Sequence, residues 1–288
     1  MIDYNPRNWW KFIFYFHKAD TFRKLLPAML GLAVYTALFA YIENNVLHYV
    51  PIKNPLTIHS LIGFVLSLLL VFRTNTAYDR WWEGRRIWGS FTNNSRNLAL
   101  KLVTFLPEKH PSKEIFRILL GNFLYAVKEH LRGKINLKHL ELISVYDEAY
   151  YKDVKHIPNK IALTIYKEIH KLYIGGLING DQLIVLNNEI SSFTDNVGAC
   201  ERIKNTPIPV SYNIFIKKMI FIYVFTMPIT AVLEYQYWSI PIVTLVFYAF
   251  AGIEIMAEEI EEPFGTDSND LSLDAIVKNI KNNLTEIL

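Results

Sequence analysis

Four long apolar stretches alternate with polar stretches along the chain, and their lengths approach those of membrane-crossing helices. The stretches cover residues 25–42, 56–72, 219–233 and 240–257. Each has about 15 to 18 residues, slightly fewer than the roughly 20 that cross a hydrocarbon core as a lipid-exposed helix. We therefore expect these helices to extend into their polar and aromatic flanks or to be shielded by neighbouring helices.

The middle of the chain, residues 73–213, shows a helical pattern of a different kind. Apolar residues recur at helical spacing in Ile115, Leu119, Leu120, Phe123, Leu124 and Val127, and again in Ile161, Ile165, Ile169 and Leu172. Helix-breaking residues stand at Pro107, Pro111, Pro158, Gly175, Gly176, Gly180, Pro207 and Pro209. Three or four helices fit between these breaks. No strand alternation or flexible linker stands out, so the pattern predicts an all-α chain that forms one integrated protomer over residues 1–288.

The distribution of positive charge predicts how the apolar stretches are oriented. Lys and Arg cluster before the first stretch, after the second and before the third, whereas the short loops 43–55 and 234–239 contain only Lys53. Because cytosolic loops carry an excess of Lys and Arg, both hairpins, 25–72 and 219–257, should open to the cytosol. This topology gives four crossings of the inner (plasma) membrane, with both termini, residues 73–213 and the tail 258–288 in the cytosol.

Composition supports a chain that is part membrane and part soluble. Hydrophobic residues make up 51% of the 288 positions, while 20% are charged and the formal net charge is +3. The single cysteine, Cys200, excludes an intrachain disulfide and is expected to be a small buried residue. The basic cluster from Arg73 to Arg86 adjoins an apolar stretch, so it indicates membrane orientation rather than nucleic-acid binding.

One face of the second apolar stretch carries three large side chains. Phe64, Leu68 and Phe72 fall at positions i, i+4 and i+8, and Gly63 and Ser67 form an adjoining strip that another helix could approach closely. The stripe could serve only to pack helices together. Alternatively, symmetry-related copies could surround an axis and form a hydrophobic constriction that gates by dewetting.

An acidic block near the C-terminus offers a second candidate site. Its residues are Glu254, Glu258, Glu259, Glu261 and Glu262, followed by the polar turn 263–270. One interpretation is a solvated helix end, with Asp267 or Ser268 capping a helix that begins at Leu271. The other is a site for a hard cation such as Ca²⁺, although the spacing does not match an EF-hand loop. The histidine inside the second apolar stretch, His59, is expected to be interfacial or hydrogen-bonded.

Patterns typical of enzymes are mostly absent. The sequence has no phosphate-binding glycine loop, no nucleophile elbow, no His-Glu-x-x-His and no Cys-x-x-Cys. We therefore expect a protein that is not an enzyme. A secondary transporter and a membrane metalloenzyme that uses the acidic block stay open as alternatives, but the two hairpins lack the inverted repeat that a transporter should show.

Three motifs resemble the bestrophin family, and its bacterial members in particular. They are Phe-Arg-Thr-Asn-Thr-Ala-Tyr-Asp-Arg-Trp-Trp-Glu-Gly-Arg-Arg-Ile-Trp-Gly at 72–89, Gly-Ala-Cys-Glu-Arg-Ile followed by Thr-Pro-Ile-Pro at 198–209, and Glu-Glu-Ile-Glu-Glu-Pro-Phe-Gly-Thr-Asp-Ser-Asn-Asp-Leu at 258–271. The resemblance covers residues from about 7 to 280. It implies a homopentameric ion channel in a lipid membrane, with a single axial pore, four membrane helices per subunit and a large helical cytosolic part.

The resemblance also implies roles for individual residues. The narrow neck of the family falls on Phe64, Leu68 and Phe72, which would form a gate without ion ligands. The cytosolic aperture, usually apolar, falls on Asp181, where a ring of carboxylates would attract cations; the alternative role for Asp181 is to cap a helix over 182–194.

The calcium-binding stretch of animal members corresponds to residues 259–270. Carbonyl oxygens of Glu259 and Glu262 and carboxylates of Asp267 and Asp270 would supply the ligands, although Ser268 and Asn269 replace part of the usual acidic run. No cofactor is required by the resemblance. We expect the channel to conduct monovalent cations, as associated with bacterial members, and an anion (chloride) channel of the same fold is the alternative.

Overall fold

Helices form the regular structure of this chain in a computed structural model that describes residues 21–47, 56–133, 136–143 and 145–288. In chain order the α-helices are α1 (Thr21–Ile42), α2 (Leu56–Phe105), α3 (Ser112–Arg132), α4 (Glu148–Tyr151), α5 (Ile157–Ile174), α6 (Gly180–Asn205), α7 (Val210–Tyr235), α8 (Ser239–Glu261) and α9 (Leu273–Ile287). A π-helical turn (Glu43–Leu47) and two 3-10 turns (Leu137–His139 and Gln236–Trp238) accompany them. Within the described ranges only an isolated bridge pairs extended residues, Ile143 with Tyr146. The prediction of an all-α chain is confirmed.

Several helix boundaries between residues 73 and 213 follow the predicted break signals. Helix α2 ends two residues before Pro107, and Pro158 lies in the first turn of α5. Helix α3 ends at Arg132 and is capped by Gly133, a break that was not predicted, whose φ of 71° lies in the left-handed region that glycine adopts at low cost. At the start of α6, Asn179 and Gln182 form a reciprocal capping box, which satisfies two backbone N–H groups that the helix cannot.

Three stretches of the described residues are long and apolar enough to cross a membrane. They are Thr21–Val46, Thr57–Phe105 and Val210–Glu261. The third stretch contains both α7 and α8, which are separated by the turn Gln236–Trp238, where Gln236 has a φ of 47°. Each of the four predicted apolar stretches therefore lies within a separate helix. Two predictions fall partly outside the described residues. They are the cytosolic N-terminus, which belongs to residues 1–20, and the first loop, of which residues 48–55 are not described.

Helix α2 continues far beyond the end of its apolar stretch. At 1.5 Å per residue, its 50 residues extend over about 75 Å. A hydrocarbon core is only about 30 Å thick, so at most the apolar part of α2 can lie within it. The change from apolar to basic sequence at Phe72 therefore marks a change of surroundings and not the end of a helix.

The described residues group into two compact units, the first of which contains α1, α7, α8 and the start of α2. Its described residues are 21–47, 56–81, 207–262 and 267–269. Leu66 and Leu70 of α2 pack in its core with apolar side chains of α7 and α8, among them Ile216 and Val243. Gly63 faces Tyr223 of α7 so closely that an added Cβ would lie 2.7 Å from the tyrosine Oη. The predicted close approach of a helix at Gly63 is confirmed.

The second unit comprises Trp82–Thr206, Pro263–Thr266 and Asp270–Leu288. Its core includes three phenylalanines from different helices, Phe91, Phe123 and Phe193, whose ring centroids lie 5.4 to 6.2 Å apart. The apolar positions predicted for α3 and α5 point inward: Ile161 and Ile169, for example, are fully buried. That the chain acts as one integrated protomer stays a prediction.

The start of α9 differs from the sequence prediction. The helix begins at Leu273, and the residue before it, Ser272, makes no side-chain capping bond. The prediction that Asp267 or Ser268 caps a helix from Leu271 is therefore wrong. Instead, the acidic residue Asp274 in the first turn interacts favourably with the positive, N-terminal end of the helix dipole.

Candidate pore-lining segment

The membrane part of α2 has one buried face and one exposed apolar face. Leu66 and Leu70 are buried, with exposed fractions of 0% and 1%. The three residues of the predicted neck, Phe64, Leu68 and Phe72, have exposed fractions of 67%, 47% and 57%. Leaving three large apolar side chains open on a single chain is unfavourable in water, so this face needs lipid, another subunit or a dewetted pore beside it.

The buried face of α2 also carries a charge. Arg73 follows Leu66 and Leu70 at helical spacing and its side chain is fully buried. Its Nη2 atom donates a hydrogen bond to Oε2 of Glu261, over 2.6 Å, and its Nε atom lies 3.7 Å from Oε2 of Glu254. A buried guanidinium needs such partners because removing an ion from water costs on the order of several kcal/mol.

Glu261 connects three segments of the first unit. Besides accepting from Arg73, its carboxylate accepts the backbone N–H of Ile208 through Oε1 at 2.9 Å. Its backbone carbonyl accepts from Nε of Arg80 at 3.0 Å. The end of α8, the segment before α7 and the part of α2 that directly follows Phe72 are therefore joined through one residue.

The sequence reasoning did not foresee this cluster. The sequence predicts one shared role for the acidic block, as a solvated helix end or as cation ligands, whereas Glu254 and Glu261 are buried against Arg73. A signal was present in the sequence, because Arg73 and Ala77 continue the helical spacing of the apolar positions Leu66 and Leu70. An arginine on that face requires an acidic partner from another helix.

The other glutamates of the block have partners of their own. Both carboxylate oxygens of Glu258 accept from Lys217 at 2.9 Å. The Glu259 carboxylate is paired with Lys24 and also accepts from the side-chain amide of Asn269. The backbone carbonyl of Asn269 accepts the indole N–H of Trp81 at 3.0 Å.

In the part of the chain that the structure describes, the predicted calcium ligands do not form a cluster of carboxylates. Among the described residues, the one group of three His, Cys, Asp or Glu side chains with converging ligand atoms lies elsewhere. Glu262 and Asp267 are exposed, and Asp270 is buried. Calcium binding at residues 259–270 stays a prediction.

Asp181 lies in the first turn of α6, and its side chain is exposed. The cap of this helix is Asn179, which accepts the backbone N–H of Gln182 at 2.8 Å. The alternative role, in which Asp181 caps a helix over 182–194, is therefore wrong. Whether Asp181 lines an aperture stays a prediction.

Two further sequence expectations can be checked directly. His59 hydrogen-bonds through Nε2 to the hydroxyl of Thr226 at 3.1 Å, which confirms a hydrogen-bonded histidine inside the apolar stretch. Cys200 is fully buried. Burial, together with the nearby charges of Glu201 and Glu83, raises the pKa of the Cys200 thiol, so this cysteine is poorly reactive.

The arginines after Phe72 divide into two groups. Arg73 and Arg80 make the contacts with Glu261 described above. The side chains of Arg85 and Arg86 are exposed, and they belong to the second unit. Arg73 is buried and Arg80 is partly buried, whereas the exposed pair is accessible to ions in solution.

Helices with membrane-spanning length, an open apolar stripe and charged residues just beyond it are features of a membrane protein. The family profile described as "Bacterial/Fungal Bestrophin protein" matches residues 1–286. The chain therefore belongs to the bestrophin family of ion channels, which are not enzymes. The prediction of family and of a membrane-embedded channel is confirmed.

Curated relatives and solved structures agree with this assignment. A voltage-dependent anion channel-forming protein from Nostoc is 39% identical over 243 residues, which cover 83% of this chain and 79% of the relative. A protein of the same description from Salmonella typhi is 29% identical over 295 residues, covering 100% of this chain and 94% of the relative. The crystal structure of a bacterial bestrophin homolog from Klebsiella pneumoniae matches with a TM-score of 0.83 and 26% identity, covering 91% of this chain and 98% of that one.

Proposed function

We propose that the chain forms a homopentameric channel of the inner membrane, with one axial pore lined at its neck by Phe64, Leu68 and Phe72. The observation that carries the proposal is the contrast on α2 between the buried face of Leu66 and Leu70 and the open apolar face of the three neck residues. Helices α1, α2, α7 and α8 would provide four crossings, with both termini in the cytosol. The net excess of Lys and Arg at the cytosolic side supports this orientation.

The neck would act as a gate and not as a selectivity filter. Phenylalanine and leucine side chains offer no ligands that could replace the hydration shell of an ion, so a narrow ring of them excludes water and ions together. Conduction then requires the neck to widen and become wet. The cluster of Arg73 with Glu254 and Glu261 would hold the helix immediately after the neck in register with α8.

For the permeant ion, we propose anions in place of the monovalent cations that the sequence reasoning favoured. The relatives from Nostoc and Salmonella typhi are described as anion channel-forming, and this supports the alternative of an anion (chloride) channel. The exposed arginines Arg85 and Arg86 would raise the local concentration of anions if they face the path. A ring of Asp181 carboxylates would act in the opposite direction.

The reversal potential tests this proposal. Purified protein is inserted into planar bilayers under a potassium chloride gradient, and the sign of the reversal potential identifies the permeant charge. We expect a value displaced toward the chloride equilibrium potential. A value displaced toward that of potassium would return the assignment to cations, and absence of current with demonstrable insertion would contradict the channel itself.

The same experiment examines Asp181. If this residue lines the aperture, Asp181→Asn should shift the reversal potential further toward chloride, because five negative charges are removed from the path. Asp153→Asn, which removes an exposed carboxylate from the cytosolic part, is the matched control. Identical shifts of the reversal potential in the two variants would show that Asp181 does not line the aperture.

A further inference from the structure

Two histidines and a glutamate of the second unit converge on one point. Nε2 of His130 lies 2.7 Å from Oε1 of Glu201, and Nε2 of His156 lies 2.8 Å from the same oxygen. The two imidazole ring centroids are 4.5 Å apart. The residues come from the end of α3, the cap of α5 and the body of α6, so three separate helices supply one cluster.

We propose that this cluster, defined by His130, His156 and Glu201, binds a divalent transition-metal ion of the zinc class. Two imidazole nitrogens and one carboxylate oxygen are a donor set that Zn²⁺ commonly uses, with a water in the fourth position. The three ligand atoms lie within 4.8 Å of one another. Ligands about 2.0–2.1 Å from a tetrahedral ion are roughly 3.3 Å apart, so small side-chain rotations suffice.

The surroundings of the cluster suit a metal site. All three side chains are partly exposed, at 25%, 29% and 29%, which leaves an entry path and room for a water ligand. Partial burial raises the pKa of Glu201, but hydrogen bonds from His156 and His130 outweigh it and hold the pKa below its ordinary value. The carboxylate is therefore ionised and ready to bind a cation at neutral pH.

The hydrogen bonds of His156 show which of its bonds would have to change when a metal ion binds. Its Nδ1 atom accepts the backbone N–H of Asn159 at 3.1 Å and so caps α5. In the metal-free protein the proton of the neutral ring therefore lies on Nε2 and is donated to Glu201. A metal ion would replace that proton, Nδ1 would become protonated, and the capping bond would be given up.

This double role provides a variant that separates metal binding from folding. Asparagine is among the best capping residues, so His156→Asn keeps an acceptor for the N–H of Asn159 while it removes the imidazole ligand. His170, exposed near the end of α5, provides the matched control His170→Asn. Both variants replace one histidine by asparagine on the same helix.

The experiment measures binding of Co²⁺ and Zn²⁺ to the full chain in detergent, after removal of any histidine tag. Co²⁺ is followed by its visible absorption and Zn²⁺ by competition with a chromogenic chelator. We expect one ion per chain in the wild type and in His170→Asn, and binding weakened about tenfold or more in His156→Asn and His130→Ala, on the scale of lost metal ligands and their supports. Melting temperatures in EDTA verify that His156→Asn is folded.

Two outcomes would overturn the proposal. One is the absence of stoichiometric binding by the wild type, and the other is equal affinity in the wild type and His156→Asn. Neither readout depends on ion conduction, so the result is independent of the proposed pore.

Discussion

Arg73 donates a hydrogen bond from Nη2 to Oε2 of Glu261 over 2.6 Å, and both side chains are buried. The contact joins α2, one residue after Phe72, to the last residue of α8. Because Phe72 belongs to the proposed gate, this ion pair would hold in place the helix whose position, under that proposal, decides whether the neck is open. It also explains why a charged residue occurs on the buried face of α2.

Removal of this ion pair should destabilise the protein strongly. Glu261→Gln removes the carboxylate that is hydrogen-bonded to the buried guanidinium of Arg73 and leaves only Glu254, at 3.7 Å, as its charged partner. Breaking a buried ion pair costs about 3 to 5 kcal/mol. We expect a clear fall in the melting temperature of the detergent-solubilised protein. Glu262→Gln, at the exposed neighbouring position, should leave the melting temperature almost unchanged. Equal melting temperatures of the wild type and Glu261→Gln would show that the buried pair does not contribute to stability.

The gate is tested by shortening its three side chains together. Alanine at Phe64, Leu68 and Phe72 widens the neck and lowers the cost of wetting it, so currents in planar bilayers should be larger than those of the wild type.

Helix α1 offers a control with the same spacing. Leu30, Val34 and Leu38 are also separated by four residues, and their exposed fractions are 60%, 59% and 58%. Their combined replacement by alanine removes similar apolar surface from another membrane helix. Currents that rise equally in both triple variants would point to general loosening of the membrane part and against a gate on α2.

Gly63 should not tolerate even a methyl group. A Cβ at this position would lie 2.7 Å from Oη and 3.2 Å from Cζ of Tyr223, whereas a Cβ at Gly31 of α1 would have no neighbour within 4 Å. Alanine is the better helix former by about 1 kcal/mol, so Gly31→Ala should be neutral or stabilising. For Gly63→Ala we expect a net loss, because overpacking costs about 1 to 3 kcal/mol. The melting temperature should therefore fall in Gly63→Ala, whereas in Gly31→Ala it should stay the same or rise.

The ion pairs of Asp274 predict a pH dependence in the second unit. Partial burial raises the pKa of Asp274, but hydrogen bonds from Lys128 at 2.7 Å and Arg132 at 2.9 Å hold it below its ordinary value of 3.8. Since the folded pKa is lowered, the stability that Asp274 adds is present above pH 3.8 and is lost as the pH falls through the folded pKa.

The measurement compares the wild type with Asp274→Asn. Their difference in free energy of unfolding should be under about 1 kcal/mol, because the carboxylate is largely exposed. The difference should be constant from pH 7 to pH 5 and should shrink below pH 3.8. A difference that grows as the pH falls would contradict the lowered pKa.

Several features of this protein follow from local sequence. The four apolar stretches, the breaks at Pro107 and Pro158 and the helical spacing within residues 115–127 and 161–172 depend on neighbours only a few positions away. The family could be recognised for a similar reason, because its motifs are contiguous runs of residues. Gly63 was identified as a position of close helix contact because a glycine inside an apolar helix has few other uses.

Other features depend on residues that are far apart in the chain. Glu261, the partner of Arg73, is 188 positions away from it. In the proposed metal site, His130 and His156 are 71 and 45 positions away from Glu201. Spacing along one helix cannot reveal such pairs, because they form only when helices pack together. For the same reason, the acidic block could not be divided by sequence into buried ion-pair residues and exposed ones.

The sequence by itself determined the helical class, the apolar stretches and the membership of the family, since helix periodicity, chain breaks and contiguous motifs are local properties. The tertiary structure alone decided which side of α2 is buried, which glutamates neutralise Arg73 and where two imidazoles meet one carboxylate. Desolvation is the physical reason. A buried charge or polar group requires a partner, and packing between distant helices decides which residue supplies it.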